Sequence, residues 1–159
     1  MGERIAGDAD LDGTGLRIGV CCGRFNRSIT DRLLDGTIRG LADHGVAEAD
    51  TAVLWAPGAY ELPLVAQHLV TQWEADAVIA LGAVIRGETG HYDFVAGECA
   101  AGLQRVQLDT GVPVVFGVLT TENLEQALDR SGDEDNKGYE GAETAIEMAN
   151  LLTSLSGGA

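Results

Sequence analysis

Residues 82–94 combine side chains and backbone features that together suit phosphate binding and proton transfer. His91 is a proton carrier that works near neutral pH. Gly87 and Gly90 allow a sharp turn and a close approach of the backbone to a ligand. The helix predicted to begin between His91 and Asp93 turns free amide groups and its positive dipole end toward the same loop. The run therefore predicts a small phosphorylated substrate and a proton-transfer step.

Four short apolar runs rich in Val and Ile are predicted to be the strands that position this loop. They cover residues 16–22, 52–55, 77–84 and 114–119. Their continuous apolar character is typical of parallel strands that are covered on both faces.

Helical patterns alternate with these strands. The first follows Ser28-x-x-Asp31, a capping-box-like start, and closes at Gly45; the others cover residues 62–73, 93–110, 122–130 and 139–152. This alternation predicts one α/β domain over residues 1–159, a three-layer α/β/α sandwich with a four-stranded parallel sheet and helices on both faces. Residues 1–12 and 154–159 are polar or small, and we expect them to be mobile tails or to contact other subunits.

The predicted topology gathers three loops at one edge of the sheet. Residues 23–26, 57–61 and 85–91 each leave the carboxyl end of a strand, where ligands bind in such sheets. Arg130 and Lys137 instead follow a helix that runs back toward the opposite edge. We therefore expect a neighbouring subunit to bring these two cations to the loops.

The charge balance restricts the classes of partner. There are 25 acidic residues against 10 basic ones, and the net charge is −15. Nucleic acids and anionic membranes need a basic surface, so neither is expected to bind. An acidic surface repels itself less in strong salt, which suggests a halophilic host; an ordinary acidic protein from a GC-rich genome is the alternative.

Other features indicate a cytoplasmic protein without a metal site. No apolar run approaches the ~20 residues that span a membrane, and the chain begins with an acidic rather than a basic, apolar segment. Cys21, Cys22 and Cys99 show no metal-binding spacing. They are predicted to be buried small hydrophobic residues, with Cys21 and Cys22 on opposite faces of a strand.

Five motifs, in order and spacing, resemble the lumazine synthase family of riboflavin biosynthesis. They are Gly23-Arg24-Phe25-Asn26, Trp55-Ala56-Pro57-Gly58-Ala59-Tyr60-Glu61-Leu62-Pro63, the run at residues 82–94, Phe116-Gly117-Val118-Leu119-Thr120-Thr121-Glu122-Asn123 and Asn136-Lys137-Gly138. The resemblance covers roughly residues 13–152. It implies a flavodoxin-like strand order and a homopentamer with active sites between subunits. In some members twelve such rings close into a shell of sixty subunits, and the short link at residues 131–138 favours that form here.

The resemblance also implies a reaction. 5-Amino-6-(D-ribitylamino)uracil would condense with 3,4-dihydroxy-2-butanone 4-phosphate to give 6,7-dimethyl-8-ribityllumazine, phosphate and water, with no cofactor. The amine of the substrate would form the imine, so no lysine nucleophile is needed. Two alternatives remain open at this point: a riboflavin synthase of the archaeal type, and a non-catalytic shell protein that binds flavin or lumazine.

The resemblance assigns a role to each matching residue. His91 would be the acid/base, and Glu88, Thr89 and Arg130 would bind the phosphate. The other substrate-binding residues would be Phe25, Ala59, Tyr60, Glu61, Ala83, Val84, Ile85, Phe116 and Lys137.

Simpler structural roles compete with some of these assignments. Phe25 could cover the sheet edge, Glu61 could be an acid at a helix start, and Arg130 could interact with a helix dipole. A carboxylate repels phosphate, so the side chain of Glu88 is expected to face solvent or to pair with a base such as Arg86. His44 and His68 lie outside the motifs and are predicted to be structural or exposed.

Overall fold

A four-stranded parallel sheet lies between two layers of helices in the computed structural model, which describes residues 8–156. The strands are β1 Ile18–Gly23, β2 Thr51–Ala56, β3 Ala77–Ile85 and β4 Val114–Thr121. The helices are α1 Arg27–Asp43, α2 Leu62–Thr71, α3 His91–Thr110, α4 Leu124–Asp129 and α5 Lys137–Ser156. The strand order is β2-β1-β3-β4 with every pairing parallel, which confirms the predicted α/β fold and its flavodoxin-like order.

Each face of the sheet has its own apolar core. Successive side chains of β1 alternate between the faces, so Cys22 packs with residues of α1 and α5, whereas Cys21 packs with residues of α2 and α3. All three cysteines are free and buried, as predicted. Burial raises the pKa of the Cys22 and Cys99 thiols to about 12.

The two central strands are covered on both faces, but β2 is not. Every residue of β1 is buried, whereas Val53 and Leu54 of β2 are 36% and 39% exposed. The reason is that β2 is an edge strand, hydrogen-bonded only to β1, and the helices cover it incompletely. The other edge strand, β4, is also incompletely covered, since Phe116 is 44% exposed. The prediction that all four strands are fully covered is therefore wrong for β2 and β4.

The start of α1 also differs from the prediction. The helix begins at Arg27, so Ser28 lies inside it and does not cap it. Asp31 pairs with Arg27 at 3.5 Å instead of closing a capping box. Asn26 precedes the helix with a φ of 61°, and its side-chain amide donates to the Ala83 carbonyl at 2.9 Å, so it does not cap the helix either.

The last two helices are each capped at the N-terminus by an asparagine side chain. Asn123 Oδ1 accepts the Gln126 amide at 2.9 Å, which places the start of α4 at Leu124 rather than at residue 122. Asn136 caps α5 in the same way, so that helix begins two residues before the predicted Tyr139.

The predicted tails lie partly outside the described residues. Asn150 Nδ2 donates to the carbonyls of Asp10 and Asp12 at 3.0 and 2.9 Å, which ties the first described segment to α5. Residues 154–156 continue α5. Within residues 8–156, no helix is both long and apolar enough to cross a membrane.

Candidate active site

A cleft of about 590 Å³ opens at the carboxyl ends of β1, β2 and β3, and we call it the strand-end cleft. All three loops that the sequence predicts to converge contribute to it. The predicted site residues that line it are Phe25, Ala59, Tyr60, Glu61, Ala83, Val84, Ile85, Thr89 and His91. Its position is the one at which parallel sheets bind ligands.

The β1–α1 loop places an aromatic ring at the mouth of the cleft. The Arg24 amide donates to the Ala56 carbonyl at 2.9 Å and the Phe25 amide to the Pro57 carbonyl at 3.1 Å, so the loop stays bonded to the next strand exit. The Phe25 side chain is 75% exposed. An aromatic ring held in solvent by an ordered backbone is available for stacking on a flat ligand.

The β2–α2 loop, which lies next to the β1–α1 loop, forms a single 3₁₀ turn, Ala59–Glu61. Ala59 is buried, whereas Tyr60 is exposed and Glu61 is partly exposed. Glu61 immediately precedes α2, as an acid at a helix start would, and its side chain is not used to cap the helix. Its carboxylate oxygens are thus available to accept hydroxyl hydrogen bonds.

The floor of the cleft is the end of β3. Ala83 is 4% exposed and Val84 9% exposed, and Ile85 is partly buried. All three residues line the cleft; Ala83 and Ile85 pack with the core on the α1 and α5 side of the sheet, and Val84 packs with the core on the other side.

The start of α3 supplies polar groups at the rim of the cleft. Thr89 and His91 are both exposed and line the cleft. The Thr89 hydroxyl accepts the His91 amide at 3.3 Å, which holds the loop against the first turn of the helix. The positive dipole end of this twenty-residue helix lies at the rim and is electrostatically suited to an anion.

Glu88 is exposed and does not line the cleft, so its side chain faces solvent, which was one of the two expectations. The other, a pairing with Arg86, does not form. Arg86 instead contacts Glu122 at 2.9 Å and Asp93 at 3.4 Å, and its guanidinium lies 4.2 Å from the centre of the Tyr92 ring. These contacts connect the rim loop to the end of β4.

Phe116, Arg130 and Lys137 do not line the strand-end cleft. They lie in a second concavity of about 320 Å³ between β4 and α5, which we call the cation groove. Within one subunit, Arg130 follows α4 and its Nη1 donates to the Gln126 carbonyl at 3.0 Å, as a helix-dipole partner would. Lys137 Nζ pairs with Glu140 at 3.2 Å. Both cations are exposed.

Several residues of the cleft were not assigned a role from the sequence. Tyr92, Phe94 and Val95 line it from the first turns of α3, and Asn26 lines it from the β1–α1 loop. Phe94 is 72% exposed. The signal for Phe94 is its position three residues after His91, which places both side chains on one helix face.

The remaining histidines lie away from the cleft. His44 Nε2 approaches Glu143 Oε2 at 3.3 Å and joins the end of α1 to α5, whereas His68 is exposed on α2. Among residues 8–156, no three His, Cys, Asp or Glu side chains gather where they could hold a metal ion.

The geometry can orient a flat, hydroxyl-bearing ligand beside an anion and a histidine. A comparison with protein families gives this arrangement a context: the model described as 6,7-dimethyl-8-ribityllumazine synthase matches residues 15–153. The match spans nearly the whole described chain and contains every candidate residue of both concavities.

Proposed function

The chain belongs to the 6,7-dimethyl-8-ribityllumazine synthase family, and on that premise we propose that each active site joins the strand-end cleft of one subunit to the cation groove of the next. The protein is an enzyme of riboflavin biosynthesis, a transferase that condenses 5-amino-6-(D-ribitylamino)uracil with 3,4-dihydroxy-2-butanone 4-phosphate. One observation carries the proposal: Arg130 and Lys137 lie exposed in a groove that is separate from the cleft holding His91.

The strand-end cleft binds the pyrimidine substrate. The Phe25 ring stacks on the flat pyrimidine, while Ala83, Val84 and Ile85 provide the apolar surface beneath it. The backbone of Ala59 and Tyr60 hydrogen-bonds the ring. Glu61 accepts the ribityl hydroxyl groups, because a carboxylate can accept several hydrogen bonds at once.

The phosphate of the second substrate binds where the two subunits meet. The loop at Glu88 and Thr89 offers backbone amides and one hydroxyl at the start of α3. Arg130 of the neighbour adds a planar, doubly donating cation, which suits phosphate oxygens. Lys137 and Phe116 of the same neighbour close the site over the substrates.

His91 moves protons in this site. The substrate's own amine attacks the butanone carbonyl and forms the imine with loss of water. Phosphate then leaves by elimination, and the ring closes when the ribitylamino nitrogen attacks the remaining carbonyl carbon with loss of a second water. His91 lies at the rim beside the phosphate loop, where an imidazole can exchange protons with the reacting atoms. Most of the acceleration then comes from holding two substrates in one orientation.

The assembly that completes such sites is a homopentamer, and twelve pentamers can close into a shell of sixty subunits. Support comes from the exposed groove residues and from the incompletely covered edge strand β2, which leave surface for neighbours. Sedimentation velocity separates these sizes directly. A monomer with full activity would contradict the proposal.

The acidic surface suits a salty cytoplasm, and the buried free thiols suit a reducing one. We expect the melting temperature to rise between a low-salt buffer and molar KCl, because salt screens the repulsion that a net charge of −15 creates. An unchanged or lower melting temperature in molar KCl would contradict a halophilic adaptation.

The test of the assignment is turnover in molar KCl, followed by the fluorescence of the lumazine product. Mixing the two substrates should give product above the spontaneous background. Replacing both His91 and Arg130 by alanine should remove that excess. The matched control replaces His68 and Arg105, an exposed histidine and an exposed arginine that lie outside both concavities, and it should retain full activity.

A further inference from the structure

Asn136 is a buried amide whose hydrogen bonds are all satisfied at the start of α5. It is 7% exposed. Its Oδ1 accepts the amides of Gly138 and Tyr139 at 2.8 and 3.1 Å. Its Nδ2 donates to the carbonyls of Arg32 and Gly132 at 3.1 and 3.2 Å. One side chain thus joins α5, α1 and the turn between α4 and α5.

The backbone around the Asn136 side chain is closely packed and leaves that side chain little room to move. A Cβ at Gly36 of α1 would overlap Asn136 Oδ1, and a Cβ at Gly138 would overlap the Leu33 carbonyl. Both positions therefore require glycine for a close approach of α5 to α1.

The same turn carries the two cations of the groove. The Lys137 amide donates to the Arg130 carbonyl at 2.9 Å, and Ser131 and Asn136 form an antiparallel bridge between them. We call residues 130–137 the cation turn. Arg32 of α1 supports it from outside, because its Nε donates to the carbonyl and the hydroxyl of Ser131 at 3.1 and 3.2 Å.

We propose that Asn136, with Arg32 as a second support, is a positioning residue that sets where Arg130 and Lys137 stand when they reach the neighbouring cleft. The inference rests on the proposed function, since it assumes that Arg130 binds phosphate across the subunit interface. Asn136 itself faces α1 and the turn, not the groove. Its effect on the reaction is therefore transmitted through the backbone on both sides of it.

The variant that tests this proposal is Asn136→Ser. Serine keeps an oxygen that can cap α5 and removes the two donor bonds to Arg32 and Gly132. The matched control is Thr37→Val. Thr37 Oγ1 donates to the Gly138 carbonyl at 2.8 Å, so this variant also loses a buried hydrogen bond between α1 and α5, outside the cation turn. Arg32→Met is the second variant, because Arg32 is exposed and its loss does not threaten folding.

Steady-state kinetics of the assembled enzyme give the readout. Asn136→Ser should raise the KM for the butanone phosphate about tenfold with kcat changed less than about twofold, because a displaced cation weakens binding more than chemistry. Arg32→Met should change the same KM in the same direction by a smaller factor. Thr37→Val should lower the melting temperature and leave this KM at the wild-type value.

A double-variant cycle separates positioning from general destabilisation. In an Arg130→Ala background, Asn136→Ser should add little to the KM for the butanone phosphate, because Arg130, the phosphate-binding one of the two positioned cations, is already absent. A full additional increase there, or a wild-type KM in both Asn136→Ser and Arg32→Met, would overturn the inference. If Arg130→Ala alone leaves the KM unchanged, the proposed phosphate role of Arg130 fails instead.

Discussion

The strand-end cleft and the cation groove are built in different ways and contribute different chemistry. The cleft is formed by the ends of three strands of one rigid sheet, and its floor is buried backbone and small apolar side chains. The groove is formed by the outer face of β4, the first turns of α5 and one turn that carries exposed charges. The cleft can therefore recognise a flat molecule by shape, whereas the groove can recognise an anion only when it faces another surface.

This difference supports the proposal that neither concavity is an active site alone. Arg130 and Lys137 are satisfied within their own subunit by Gln126 and Glu140, through contacts that are exposed and weak. A phosphate at the neighbouring subunit's α3 can replace these contacts at low cost. Under the proposed function the chemistry depends on assembly, and substitutions in the two concavities should have separable effects.

The largest effect is expected for His91→Ala, because His91 is the acid/base candidate of the cleft. We expect kcat to fall about 10²-fold, at the low end of the range for general acid–base catalysis, since substrate positioning remains. The KM values should change little. Stopped-flow lumazine fluorescence measures both quantities, with His68→Ala as the control. A wild-type kcat in His91→Ala would contradict the role of His91 in proton transfer.

The next effect is expected in the groove. Arg130→Ala should raise the KM for the butanone phosphate by about 10- to 50-fold, the loss expected for a charge-assisted hydrogen bond to phosphate, and should leave the KM for the pyrimidine nearly unchanged. Arg105→Ala is the matched control, since Arg105 is exposed and, within residues 8–156, forms an ion pair only with Asp109 in its own helix. Equal KM values for the butanone phosphate in Arg130→Ala and the wild type would contradict the proposed role of Arg130 in phosphate binding.

A smaller effect is expected at the mouth of the cleft. Phe25→Ala should raise the KM for the pyrimidine substrate about fivefold, because the loss of an aromatic stack costs about 0.5–1.5 kcal/mol. Phe25→Trp should retain binding, since it keeps a ring at the same place. If Phe25→Ala and Phe25→Trp have the same KM for the pyrimidine substrate, the Phe25 ring only covers the sheet edge and does not stack on the substrate.

The sequence pattern was sufficient for the sheet and for most of the cleft. Continuous apolar runs predict parallel strands, and parallel strands place their exit loops at one edge, so Phe25, Glu61 and His91 could be brought together without coordinates. The direction of α4 likewise predicted that Arg130 would stand apart from them. In each case a local pattern, combined with one rule of topology, determines the position.

Contacts that depend on register or helix packing could not be predicted in this way. Arg86 pairs with Glu122 because Ile85 lies opposite Thr121 in the β3–β4 ladder, and the local pattern suggested Glu88 instead. The pattern at Ser28 predicts a cap, but the loop ends two residues earlier, at Asn26, whose side-chain amide bonds to β3. The role of Asn136 could not be predicted either, because its hydrogen bond to the Arg32 carbonyl forms only when α5 packs against α1.

The central claim is that one active site uses residues of two subunits, and mixed assemblies test it most directly. One parent carries His91→Ala and Phe25→Ala and lacks a working cleft; the other carries Arg130→Ala and lacks a working groove. If the parents are unfolded together and reassembled in equal amounts, about a quarter of the interfaces should join an intact cleft to an intact groove, because each cleft faces its neighbour's groove. With the butanone phosphate held well below its wild-type KM, where the Arg130→Ala parent is slow, the account predicts activity well above the mean of the two parents, approaching that fraction of the wild type. Activity equal to the mean in verified mixed assemblies would place all the residues of each site in one subunit and contradict the account.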